Sequence, residues 1–174
     1  MKETIYIGID PGDVKTAIVI YSPGSDPKIL DKAIVDNRYI VKTIQAACRD
    51  RINKGYKVVV AIEMIASYGM PVGKTVFETC VWIGRILEAI EDFRYMGIKV
   101  TLLERKKIVT HICGSSRGKD SNVRMALIDM FGPAGTKKSP GGTHGVSKDM
   151  WSALAVAVTA HSGDDTSRYS MAVY

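Results

Sequence analysis

The order of elements in the chain predicts an α/β protein, a mixed five-stranded sheet with helices on both faces. Three observations predict it. The first third holds three segments rich in β-branched and aromatic residues, joined by short turn-forming links, as in an antiparallel meander. Helical and strand patterns then alternate. The segment Lys57–Glu63 is an almost unbroken β-branched run, as expected of a strand covered on both faces.

Each element follows in order. Thr4–Asp10 reads as the first strand and Pro11-Gly12-Asp13 as its turn; Val14–Tyr21 is the second strand. Pro23-Gly24-Ser25-Asp26-Pro27 makes the next turn, before a third strand at Lys28–Asp36. Ile40, Ile44, Ala47 and Ile52 recur at helical spacing within 40–53. After the strand Lys57–Glu63, a long helix is expected over Thr75–Met96 and a short strand over Ile98–Leu103. Helices are expected at Arg105–Ile112, Ser121–Phe131 and Lys148–His161. The internal stretch Gly132–Val146 is rich in Gly, Pro, Ser and Lys and reads as a long loop.

A chain of 174 residues fits one domain, expected over 1–162, with a loose polar tail over 163–174. The composition, 46% hydrophobic and 24% charged, is ordinary for a soluble protein. No apolar run approaches the roughly 20 residues that span a bilayer, and Ile5–Ile9 is too short for a signal peptide. A cytoplasmic protein is expected. Cys48, Cys80 and Cys113 are far apart, which argues against a zinc site and a disulfide framework. A net charge of +6 suits a polyanionic partner.

Three acids stand where structure alone does not ask for them. Asp10 ends the first strand before a Pro-Gly turn, Glu63 ends the apolar strand KVVVAIE, and Asp149 opens the helical segment SKDMWSALAVAV. Taken singly, each has a plain structural reading: Asp10 in a turn, Glu63 as a cap, Asp149 against a helix dipole beside Ser147 as N-cap. Together, two strand ends and a helix start can meet at one edge of a sheet. Clustered carboxylates repel one another and call for a cation. Hard oxygen ligands favour Mg²⁺ or Mn²⁺, and two such ions can clamp a phosphodiester.

Four stretches carry a family resemblance. IGIDPGDVKTAIVIY resembles the first motif of RuvC-type Holliday-junction resolvases, VVVAIE the second and SKDMWSALAVAVTAH the third. KDSNVRMALIDMFG resembles the helix before the third motif, particularly in bacteriophage-type members. The resemblance covers almost the whole chain. It implies an RNase H-like fold, a homodimer, two divalent ions per active site, and paired nicks that resolve a four-way or branched DNA junction. It makes Asp10, Glu63 and Asp149 the catalytic metal ligands. One departure stands out: the family carries a further acid one helical turn after the first acid of the third motif, where this chain has Ser152. Ser152 or His144 is then a candidate fourth ligand.

Positive charge concentrates in the second half, at Arg105-Lys106-Lys107, Arg117, Lys119, Arg124, Lys137-Lys138 and Lys148. Lys119, Arg124, Lys137 and Lys138 are candidate DNA contacts, and Tyr68 is a candidate stacking platform for an unpaired base. The helix 75–96 is apolar on two sides. Val76, Cys80, Ile83, Leu87 and Ile90 suit the sheet; Trp82, Ile86, Ala89 and Phe93 make a second stripe, read as a dimer seam. An actin-like or sugar-kinase ATPase needs two such lobes, and the chain is too short for both, so no nucleotide cofactor is expected. A YqgF-like RNA-processing nuclease and an inactive nucleic-acid-binding module remain alternatives on the same fold.

Overall fold

The computed structural model describes residues 3–66, 69 and 71–163. Its elements are β1 (Thr4–Pro11), β2 (Lys15–Ser22), β3 (Lys28–Asp36), α1 (Asn37–Asn53), β4 (Lys57–Met64), α2 (Lys74–Arg94), β5 (Lys99–Glu104), α3 (Arg105–Cys113), α4 (Asp120–Phe131) and α5 (Met150–Ser162). The five strands form one sheet in the order β3-β2-β1-β4-β5. β1, β2 and β3 pair antiparallel, and β4 and β5 add on in parallel to β1. The fold class read from the sequence is therefore the one observed.

The period of two along each strand sorts side chains between two cores. Ile5, Ile7 and Ile9 of β1 and Val58, Val60 and Ile62 of β4 face α1 and α2. Tyr6 of β1, with Val59 and Ala61 of β4, faces α3, α4 and α5. α5 is buried on nearly every side, because it lies between the sheet and the other two helices of its layer. It approaches β1 closely at Gly8, where an added Cβ would meet the Ala153 carbonyl oxygen at 2.1 Å and the Ala157 Cβ at 2.8 Å.

Two expectations need correction. The second stripe of α2 is not a free seam. Ile86 is 0% exposed and Phe93 is 5% exposed, both within the chain's own core. The cause is α1, which packs beside α2 as well as on the sheet. Gln45 donates to the Ala89 carbonyl at 3.0 Å, and the Arg49 guanidinium lies over the Phe93 ring. α2 instead exposes Phe77 and Val81, each 61% accessible. The last helix begins at Met150 rather than Lys148. Lys148 has φ 50°, a left-handed conformation that a helix cannot continue through. Asp149 is thus the cap residue, with no side-chain capping bond, and Ser147 is not the N-cap. Gly163 closes α5; residues 164–174 of the expected tail lie outside the described residues.

The loop 132–146 is built, not loose. Gly141 donates to the Ala134 carbonyl and Thr136 to the Ser139 carbonyl, both at 2.9 Å. The buried Thr143 hydroxyl donates to the Gly132 carbonyl at 2.8 Å. Cβ atoms at Gly141 and Gly142 would lie 2.0 and 1.8 Å from the carbonyl oxygens of Pro133 and Phe131, so the pair permits this fold of the chain.

Candidate active site

β1 and β4 run in parallel with Ile9 beside Ile62. One residue further, Asp10 and Glu63 stand at the same level on adjacent strands. Each lies an even number of residues from the α5-facing positions, Tyr6 and Gly8 on one strand and Val59 and Ala61 on the other. Both carboxyls therefore project toward α5 at one end of the sheet. The backbone after Asp10 is fixed by a residue the sequence did not single out. Asn37, buried at the start of α1, donates its side-chain amide to the Gly12 carbonyl at 2.9 Å and accepts from the Thr16 hydroxyl at 2.7 Å.

α5 brings the third acid. Its close approach at Gly8 carries Asp149 and Ser152 over the end of β1. The electrostatics of Asp10 record this convergence. Its pKa is pushed from 3.8 up to about 7, first by burial, then by the charges of Glu63 and Asp149; Arg105 and a hydrogen bond from the Ser152 hydroxyl oppose the rise. Glu63 is also raised, chiefly by burial, with Arg105 opposing and Asp120 adding. The Ser152 side chain thus stands beside Asp10 on the first turn of α5.

Arg105, the first residue of α3, joins these groups. Its Nη1 lies 3.7 Å from Glu63 Oε2 and 3.4 Å from Ser152 Oγ. Its Nη2 donates to Asp120 Oδ1 at the start of α4. Sequence reading placed Arg105 only within a basic cluster. The signal for its role is its position immediately after β5, whose Leu103 pairs with Glu63.

Arg105 is also the wall between two cavities. One, about 320 Å³, is lined by Asp10, Glu63, Thr75, Thr79 and Arg105. The other, about 640 Å³, is lined by Arg105, Arg124, Lys148, Asp149, Trp151 and Ser152 among others. Arg124 lies over the Trp151 ring at 5.3 Å, a cation–π contact that holds its guanidinium at the cavity rim. Lys119 is exposed at the N-cap of α4, with its backbone N–H bonded to Asn122 Oδ1 at 2.9 Å. Lys137 and Lys138 are exposed on the loop 132–146, between the bridged residues Gly135 and Pro140. His144 places Nδ1 at 3.0 Å from the Ala134 carbonyl, so that ring nitrogen braces the loop. Tyr68 lies outside the described residues.

The donor set can be tested against a hard divalent ion. Among the described residues, no three acidic, His or Cys side chains are grouped tightly enough to hold a metal by themselves. Asp10 and Glu63 nevertheless offer oxygen donors on one level, and Glu63 Oε2 is buried with no hydrogen-bond partner. An orphaned buried carboxylate oxygen is costly unless a cation satisfies it. The residues fit Mg²⁺ or Mn²⁺ as an open site, which water and a substrate oxygen would complete.

Comparison with known proteins supports the fold. No protein-family model matches the chain, and no curated protein is similar in sequence. Solved structures are similar. The RuvC structure of Thermus thermophilus is 18% identical, with a TM-score of 0.66 over 92% of this chain and 95% of that one. The same protein in complex with a Holliday junction substrate gives 18% and 0.65 over 90% and 92%. The fowlpox virus resolvase, in complex with Holliday junction DNA, is 14% identical with a TM-score of 0.51 over 91% and 99%. At these identities the likeness shows a shared RNase H-like fold.

Proposed function

We propose that this chain is a metal-dependent endodeoxyribonuclease that resolves four-way or branched DNA junctions. The observation that carries the reading is the convergence of Asp10 and Glu63, level on parallel strands, with Asp149 and Ser152 from α5 opposite them. The fold neighbours include RuvC and fowlpox resolvase in complexes with Holliday junctions, and this arrangement of acids suits phosphodiester hydrolysis.

Asp10 and Glu63 would hold one Mg²⁺ or Mn²⁺, and Asp10 and Asp149 a second. Such ions would supply activation of a water and stabilisation of the leaving oxygen. The chain's own residues do the rest. The Ser152 hydroxyl orients the Asp10 carboxylate. Asn37 fixes the turn that follows Asp10, which fixes that carboxylate relative to Glu63. Lys119, Arg124, Lys137 and Lys138 would hold flanking phosphates and set the register of the strand. No helix among the described residues is long and apolar enough to cross a membrane.

Paired nicks require two active sites, and a two-fold homodimer supplies them. The surface that suits a second copy is the α2 face bearing Phe77 and Val81, one helical turn apart. The deciding experiment is cleavage of end-labelled four-way junctions beside flaps, forks and duplex RNA, with Mg²⁺ or chelator. Symmetric paired nicks on the junction alone are expected. Preferential cleavage of RNA would favour an RNA-processing nuclease, and no cleavage in Mg²⁺ or Mn²⁺ would leave a binding module.

A further inference from the structure

We propose that Arg105 is a resident counter-ion of the active site, which a divalent cation must displace from Glu63, and that Asp120 is the partner that holds it once displaced. The inference rests on the reading of Asp10 and Glu63 as metal ligands.

The geometry is specific. The guanidinium reaches two acids that lie on different elements, Glu63 at the end of β4 and Asp120 at the start of α4. Its two interactions are unequal. Nη2 donates a hydrogen bond to Asp120, whereas Nη1 stands 3.7 Å from Glu63 Oε2, beyond hydrogen-bond reach, and that oxygen has no hydrogen-bond partner. Arg105 therefore neutralises Glu63 through space without satisfying it. It also borders both cavities, the one lined by Asp10 and Glu63 and the one in which Arg124 and Lys148 stand with Asp120 and Asp149. A rotation of its side chain toward Asp120 would open the first and add a cation to the second, where a phosphate is expected.

The charge balance gives the reason for such an arm. When all are ionised, Asp10, Glu63 and Asp149 bring three negative charges to one end of the sheet. A guanidinium is always protonated and cannot relieve repulsion by titrating, so it must move when another cation arrives. Asp120 is largely exposed, with its side chain 89% accessible, and it can keep Arg105 paired in either position at little desolvation cost. A cation that stays at Glu63 would oppose a second cation there. The arm thus lowers metal affinity in the free protein and favours loading when a DNA phosphate is present to receive it.

The test is calorimetric titration of Mn²⁺ into the full chain without DNA, for the wild type, Arg105→Gln, Arg105→Lys, Asp120→Asn and Glu63→Gln. Arg105→Gln should bind Mn²⁺ about fivefold more tightly or better, because a like charge has gone from the site. Arg105→Lys, which retains the charge, should stay within about twofold of the wild type. Asp120→Asn should weaken binding about threefold or more, and less so when Arg105 is already Gln. Unchanged or weaker binding in Arg105→Gln, with Glu63→Gln still losing the ion, overturns the counter-ion role and leaves the metal assignment standing. Mn²⁺ binding that survives Glu63→Gln intact overturns both.

Discussion

Gly8 on β1 lies under the backbone carbonyl of Ala153 on α5, and the space between them does not admit a methyl group. Ser152 immediately precedes Ala153, and Asp149 stands one helical turn before it. The missing side chain at Gly8 thus sets the height of two candidate active-site residues, Asp149 and Ser152, over a third, Asp10. Gly8→Ala should push α5 outward, costing about 1–3 kcal/mol of stability by overpacking. Nicking should fall about tenfold or more, because small displacements of reacting groups are expensive. Urea unfolding and nicking rates check both; unchanged activity would mean that α5 does not set the site.

Asp10→Asn should abolish nicking, by about a hundredfold or more, while junction binding stays within a few-fold of the wild type. On the proposed function, phosphate contacts would come from Lys and Arg, and the carboxylate would serve the ion. A gel-shift titration in chelator, beside cleavage in Mg²⁺, separates the two effects.

Stability without metal should depend on pH through Asp10. Its pKa in the folded chain is about 7 against an ordinary 3.8. The folded state then binds more protons than the unfolded chain between these values, so stability falls as pH rises through that window. Asp10→Asn removes the charge and its share of the fall, leaving the smaller share that the buried Glu63 carries. In chelator, the variant should gain on the wild type by on the order of 2–4 kcal/mol between pH 4 and 8. Added Mg²⁺ should reverse the trend for the wild type. Parallel pH profiles for the two proteins would contradict the burial of an ionising carboxyl.

Phe77→Glu or Val81→Glu should convert a dimer to a monomer while changing monomer stability by less than about 0.5 kcal/mol, since both side chains are exposed. Ile86→Glu should instead destabilise the fold itself, by roughly 3 kcal/mol or more, because its side chain is fully enclosed. Sedimentation beside thermal unfolding distinguishes these outcomes.

Much of this was legible in the sequence where the cause is local. Strand period placed Asp10 and Glu63 at strand ends, and turn chemistry gave the meander. What was not legible depends on packing between distant elements. Ile86 and Phe93 read as a seam because periodicity shows that a helix has two apolar faces, not which neighbour covers each; α1 covers the second. Arg105 read as one of several basic residues, since its partners Glu63 and Asp120 are distant in the chain and meet it only through the packing of α3 and α4. The left-handed backbone at Lys148 has no residue signature, for glycine or asparagine is the usual occupant. It moved the start of α5 past Asp149.

Lys137→Ala and Lys138→Ala should each weaken junction binding and lower its salt dependence. The slope of log affinity against log salt should become shallower by about 0.9 for each phosphate that the variant no longer neutralises. Binding titrations across a range of NaCl concentrations give that slope directly.

The glycine pair at 141–142 and the buried Thr143 hydroxyl have a thermodynamic consequence for those same lysines. A segment that is already hydrogen-bonded to itself has little conformational freedom left to lose when a ligand arrives. Association through this loop should therefore lack the heat-capacity signature of coupled folding. On the proposed function the loop would act as a rigid template, selecting DNA whose backbone already has a matching shape, and a duplex that must bend to reach it would bear the deformation energy itself.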